Sequence, residues 1–148
     1  ALRRVGSLAL DAGRLKRAER AYAQALAISR EVGDRRSEGA SLGNFAILYY
    51  DTGRREQAER AYEQALAIHR EVGNRRLVGI HLCCYGLVIL AAGRHEAARD
   101  LWRQGAAILH ELGDAAQIAT RETDMREACA KAGVPPFDEE PEAGAANA

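Results

Sequence analysis

Residues 13–33, GRLKRAERAYAQALAISREVG, return forty positions later as residues 53–73, GRREQAERAYEQALAIHREVG. Aligning residues 13–40 with residues 53–80 gives 19 identities in 28 positions, far more than chance supplies. A third, more divergent copy keeps the same step through Gly93-Arg94, Ala98, Trp102 and Gly113-Asp114. Self-similarity at one fixed period marks a repeat architecture. Each unit is one supersecondary element that cannot bury its apolar face alone, so neighbours must stack.

Within a unit the pattern reads as two helices. In the second unit Leu42, Phe45, Ala46 and Tyr49 fall at i, i+3, i+4 and i+7, one face of a first helix running from about Arg35 to Thr52. Gly53 suits its C-terminal cap, where a residue without Cβ takes a left-handed conformation. A second helix, from about Glu56 to Val72, buries Ala58, Ala61, Tyr62, Ala65, Leu66 and Ile68, and Gly73 ends it. Asp34, Asn74 and Asp114 each precede a first helix, where a side-chain oxygen can accept from the helix's orphan N–H groups. Small Ala18, Ala58 and Ala98 allow close helix crossing, and Tyr22, Tyr62 and Trp102 fill the gap to the next hairpin. Turns are expected at Gly13, Gly33, Gly53, Gly73, Gly93 and Gly113, separating seven helices.

These residues resemble the tetratricopeptide repeat family. Leu42, Phe45-Ala46, Tyr49, Gly53, Ala58, Tyr62 and Ala65-Leu66 stand where that family wants large, large-small, aromatic, Gly, Ala, aromatic and Ala. The forty-residue unit looks like the longer variant found in kinesin light chains, spindle-orientation scaffolds and many bacterial signalling ATPases and transcription regulators. The resemblance covers residues 1 to about 133. It implies an all-α, right-handed solenoid of three helical hairpins plus a C-terminal capping helix. The expected units are about 1–33, 34–73 and 74–113, then a capping helix over 114–133 with Ile118, Met125 and Cys129 on its apolar side. Gly133-Val134-Pro135-Pro136 stops that helix, and 134–148 reads as an acidic, disordered tail. Ala1 aligns with Ser41, inside a first helix, and there is no initiator Met, so upstream sequence in a longer protein is expected.

Composition narrows the function. The 148 residues are 47% hydrophobic and 28% charged, with 21 basic and 21 acidic side chains, so no net basic field invites nucleic acid. No stretch reaches the roughly 18 apolar residues of a membrane span, and no apolar leader opens the chain. Three cysteines in helical surroundings suggest free thiols in a reducing, cytoplasmic compartment; adjacent Cys83 and Cys84 point about 100° apart on a helix. The run from His95 to Arg99 lacks the second His of a zinc-protease helix. His81 and Cys84 stand three apart but have no second ligand pair nearby, so neither a metal nor a cofactor is expected. The repeated Arg35-Arg36 and Arg75-Arg76 beside Glu31 and Glu71 read as a solvated, weakly paired face.

In the tetratricopeptide fold the first helix of each hairpin lines the concave surface, and its positions not used for packing face a ligand. Those positions give a candidate peptide-binding groove of Asn44, Ile47, Tyr50, Asp51, Cys83, Cys84, Leu87 and Leu90. Arg3, Arg4, Ser7, Leu10 and Asp11 extend it in unit one, and Thr123, Asp124, Glu127 and Lys131 on the terminal helix. Asn44 matches the groove asparagine of kinesin-light-chain-like repeats, where an amide both donates to and accepts from peptide backbone; Arg4 and Cys84 replace it in the other units. The strip is apolar, which suits a partly hydrophobic protein or peptide segment, or another copy of this chain through the groove or the truncated N-terminal face. The expectation is a non-enzymatic, cytoplasmic protein–protein interaction scaffold. The alternative is a regulatory ligand- or peptide-sensing domain of a larger bacterial ATPase, kinase or transcription regulator.

Overall fold

The computed structural model describes residues 8–139 as six helices, with no strand among the described residues. They are α1 (Leu8–Val32), α2 (Arg35–Asp51), α3 (Arg55–Glu71), α4 (Arg75–Ala91), α5 (His95–Glu111) and α6 (Ala115–Ala132). Each helix packs on the next in chain order, and α6 rests on both α4 and α5, so the architecture is an all-α solenoid. No helix among the described residues is long and apolar enough to cross a membrane.

Local chemistry sets the boundaries. Asp34, Asn74 and Asp114 accept from the backbone N–H of Ser37, Leu77 and Gln117 at 3.1, 3.3 and 3.2 Å, so each first-type helix starts with a side-chain cap. Five turns run through glycines with φ between 66° and 83°: Gly33, Gly53, Gly73, Gly93 and Gly113. A side chain is strained in that left-handed region, which explains the forty-residue glycine step.

Gly13 departs from the expectation. No turn forms there, and α1 runs straight through it, giving six described helices where seven were expected. The reversal at Gly53 is stabilised by a whole arm: Phe45, Ala46 and Leu48 of α2 pack on Ala58, Ala61 and Tyr62 of α3. A glycine inside a helix costs only about 1 kcal/mol, so the helix continues.

The core divides into clusters along the stack. Phe45, Ala46, Ala58, Tyr62 and Val88 bind α2 and α3 to α4, with Tyr22 of α1 edge-on to Phe45 at 5.8 Å. Trp102, Leu109, Met125 and Cys129 join α5 and α6 to Cys83, Ile89 and Leu90 of α4. Exposed ion pairs repeat with the sequence, Arg35–Glu71 and Arg75–Glu111 at 2.6 Å each, and such surface pairs contribute little.

The segment after Gly133 does not begin as a free tail, contrary to its composition. Phe137 is buried against Trp102, its N–H donates to Met125 Sδ at 3.2 Å, and Arg103 Nε donates to its carbonyl at 2.8 Å. Arg126 pairs with Asp138 at 2.6 Å. One aromatic among prolines and acids is enough to hold 134–139 against the domain. The unit-one groove positions Arg3, Arg4, Ser7, Leu10 and Asp11 lie outside the residues whose side chains are described, as does the tail from 140.

Candidate functional site: a cavity between α2, α4 and α6

Burying Leu42, Phe45, Ala46 and Leu48 turns the opposite edge of α2 outward. Ile47 is 43% exposed there, with Tyr50 half-buried one turn on and Asp51 beside it. On α4, Cys84 and Leu87 lie three apart on the side that meets α2 and α6. These residues enclose a cavity of about 180 Å³. Ile47, Tyr50 and Leu87 form apolar walls, with Ala128 of α6 opposite. Asp51, Asp124, Glu127 and Lys131 stand around it. A shallower hollow of about 400 Å³ continues from Tyr50, Leu87 and Lys131 toward Gly93 and His95.

The floor is polar. Tyr62 of α3 reaches through the layer, almost wholly buried, to the Cys84 thiol. Arg121 of α6 donates from Nη1 to Cys84 Sγ at 2.9 Å, and its Nη2 lies 3.6 Å from Asp124. Its Nε is buried without a hydrogen-bond partner among the described residues. Burial pushes the Cys84 thiol up, against the pull of Arg121, and burial pushes the phenols of Tyr50 and Tyr62 up as well. These groups are therefore neutral near neutral pH. Cys84 is a thiol, which is not the nucleophilic form. Partial desolvation also raises the Asp51 carboxyl. Apolar walls, a neutral hydrogen-bonding floor and charged groups at the edge are the chemistry of a recognition site.

Five of the eight anticipated groove residues converge here: Ile47, Tyr50, Asp51, Cys84 and Leu87. Asn44 is exposed on α2, one turn before Ile47, and does not line the cavity. Cys83 is a correction. It is 1% exposed, its Sγ lies 3.5 Å from the Trp102 carbonyl, and burial drives its thiol up to about 12. Leu90 is a second correction: it is 3% exposed in the α4–α5–α6 core and only edges the shallow hollow. Both belong to the stripe Gly79, Cys83, Gly86 and Leu90, which lies at i, i+4, i+7 and i+11 and faces α5 and the core beyond it. From α6, Asp124, Glu127 and Lys131 line the cavity, whereas Thr123 does not. Arg121, Ala128 and Tyr62 were not anticipated. A basic residue facing Cys84 across the stack has no one-dimensional signal, and Tyr62 reads only as packing.

His81 and Cys84 diverge. The His81 ring packs beneath Gly43 and lies 4.9 Å from the His69 ring, while Cys84 is taken by Arg121. No group of three or more metal-ligating side chains forms among the described residues.

The repeat geometry has a counterpart among known families. The tetratricopeptide repeat family model matches residues 1–71. Those residues, just under half of the chain, carry tetratricopeptide repeats. The forty-residue step and the recurring hairpin carry the same architecture through α4 and α5. No curated protein and no solved structure gives a significant match. Tetratricopeptide repeats generally mediate protein–protein interactions and are typically non-enzymatic scaffolds.

Proposed function

We propose that this tetratricopeptide repeat domain holds a partner protein by inserting one apolar side chain of a partner segment between α2, α4 and α6. The observation that carries this reading is the size and lining of the cavity. Pockets for free small molecules span roughly 300–1,000 Å³, whereas this one is about 180 Å³, the scale of a single large side chain. Ile47, Tyr50 and Leu87 grip the side chain. Asn44, one turn away on the exposed face of α2, and the polar residues at the edge serve the segment's backbone and flanks. The shallow hollow beside Leu87 and His95 takes the neighbouring residue. The same geometry serves a regulatory sensing domain if the segment is a peptide.

The test uses peptides selected from a random display library on the full chain and titrated by calorimetry. Leu87→Asp and Ile47→Arg should each weaken binding by about a hundredfold, since burying such a side chain is worth roughly 1.5–3 kcal/mol and each change adds an unpaired charge. Circular dichroism should be unchanged, because Ile47 is exposed and Leu87 is only partly buried, at the edge of the core. Selected peptides that bind both variants with wild-type affinity would remove the cavity from the account.

A further inference from the structure

The repeat supplies its own control for one surface. On α3 the stripe Ala61, Ala65 and Ile68 is buried, with Ile68 4% exposed, because Leu42, Phe45 and Ala46 of α2 cover it. Forty residues earlier, Ala21, Ala25 and Ile28 of α1 form the same stripe, and Ile28 is 53% exposed. Val32 continues it at 70%. Residues 1–11 are the counterparts of residues 41–51 of α2. Leu2, Val5-Gly6 and Leu8 stand forty residues before Leu42, Phe45-Ala46 and Leu48, repeating the large and large-small pattern of a first-type helix. Yet α1 is straight through Gly13, so residues 8–12 run in line with the helix and away from residues 21–32 of their own chain.

We propose that the Ala21–Ala25–Ile28 stripe is covered by residues 1–12 of a second copy of this chain, in a reciprocal exchange hinged at Gly13. The contact repeats between molecules the part of the α2–α3 contact made by Leu42, Phe45 and Ala46. Two copies exchanging the same segment close a two-fold dimer, the usual outcome of swapping across a short hinge. Gly13 is the residue that permits either path. Straight, it is an ordinary helical glycine, with no atom within 4 Å of where a Cβ would stand; folded, it would take the positive φ of its counterpart Gly53, at 76°. Alanine at 13 fits only the straight form, since it favours helix over glycine and resists positive φ. This inference concerns the N-terminal face and is independent of the cavity.

Sedimentation of the full chain across concentration should show a dimer. Ile28→Asp, a change at an exposed position, should weaken it by about a hundredfold with helicity retained, and Gly13→Ala should leave it dimeric. A chain carrying Leu2→Cys and Ala25→Cys, the counterparts of clustered Leu42 and Ala65, should oxidise to a species of two linked chains that the unmodified chain does not form. A monomer at all concentrations, a dimer indifferent to Ile28→Asp, or a disulfide closed within one chain would each overturn the exchange.

Discussion

Two imidazoles fix the junction of α2, α3 and α4. A Cβ at Gly39 would come within 2.9 Å of His69 Cε1, and one at Gly43 within 2.5 Å of His81 Cε1, so α2 passes over the rings only because these positions are glycine. Both rings are buried, and His69 Nδ1, His69 Nε2 and His81 Nδ1 have no hydrogen-bond partner among the described residues. Burial lowers the His69 pKa, and burial, then His69 and Arg121, lower that of His81 to about 4. The folded state therefore keeps His81 neutral where the unfolded chain takes up a proton. Stability is full above the unfolded value of 6.5 and falls with pH from there to about 4. At one proton the loss approaches about 3 kcal/mol. Asp34 and Asp114, lowered by hydrogen bonds from Ser37 and Arg76, lose their contribution as pH falls below 3.8, and Glu38, lowered against its desolvation by Arg35 and Arg30, as pH falls below 4.5. Urea unfolding at a series of pH values should show this decline, and His81→Leu should lessen it, leaving the share of His69. An equal slope in the variant would mean that His81 is protonated as readily in the fold as outside it. Sequence reading left His81 as an ordinary groove or packing residue, because a histidine in an apolar helix gives no sign of which neighbour it meets.

At the scale of elements, the boundaries of α2 to α6 were legible almost to the residue, since caps and glycine turns are local chemistry. The faces of α4 were not. From Leu77 to Leu90 nearly every residue is apolar, so periodicity cannot separate the stripe facing α5 from the stripe facing the cavity, and Cys83 and Leu90 were assigned to the wrong one. The α4–α5 contact also uses glycine where earlier units have alanine. Gly105 stands at the position of Ala25 and Ala65, and a Cβ there would lie 2.5 Å from the Gly79 carbonyl and 2.8 Å from Cys83 N. Backbone on both sides cannot yield cheaply. Gly105→Ala should lower stability by about 1–3 kcal/mol in chemical denaturation, even though alanine is the better helix former. An unchanged or raised midpoint would show that the two helices can separate at no cost.

The whole molecule is a stack whose open side is made by three helices from different places in the chain. The stacking was readable from the forty-residue step, as was the assignment of Ile47, Tyr50 and Leu87 to one strip. The closure of that strip into a cavity was not, because it depends on α6 turning Arg121 and Ala128 toward Cys84 and Leu87. Cross-saturation NMR on the labelled chain with an unlabelled selected peptide tests the placement of the partner most directly. Saturation should pass to amides of residues 47–51, 84–87 and 121–131 and leave the outer surfaces of α3 and α5 unaffected. Transfer centred on α3 and α5, with the cavity residues silent, would contradict it.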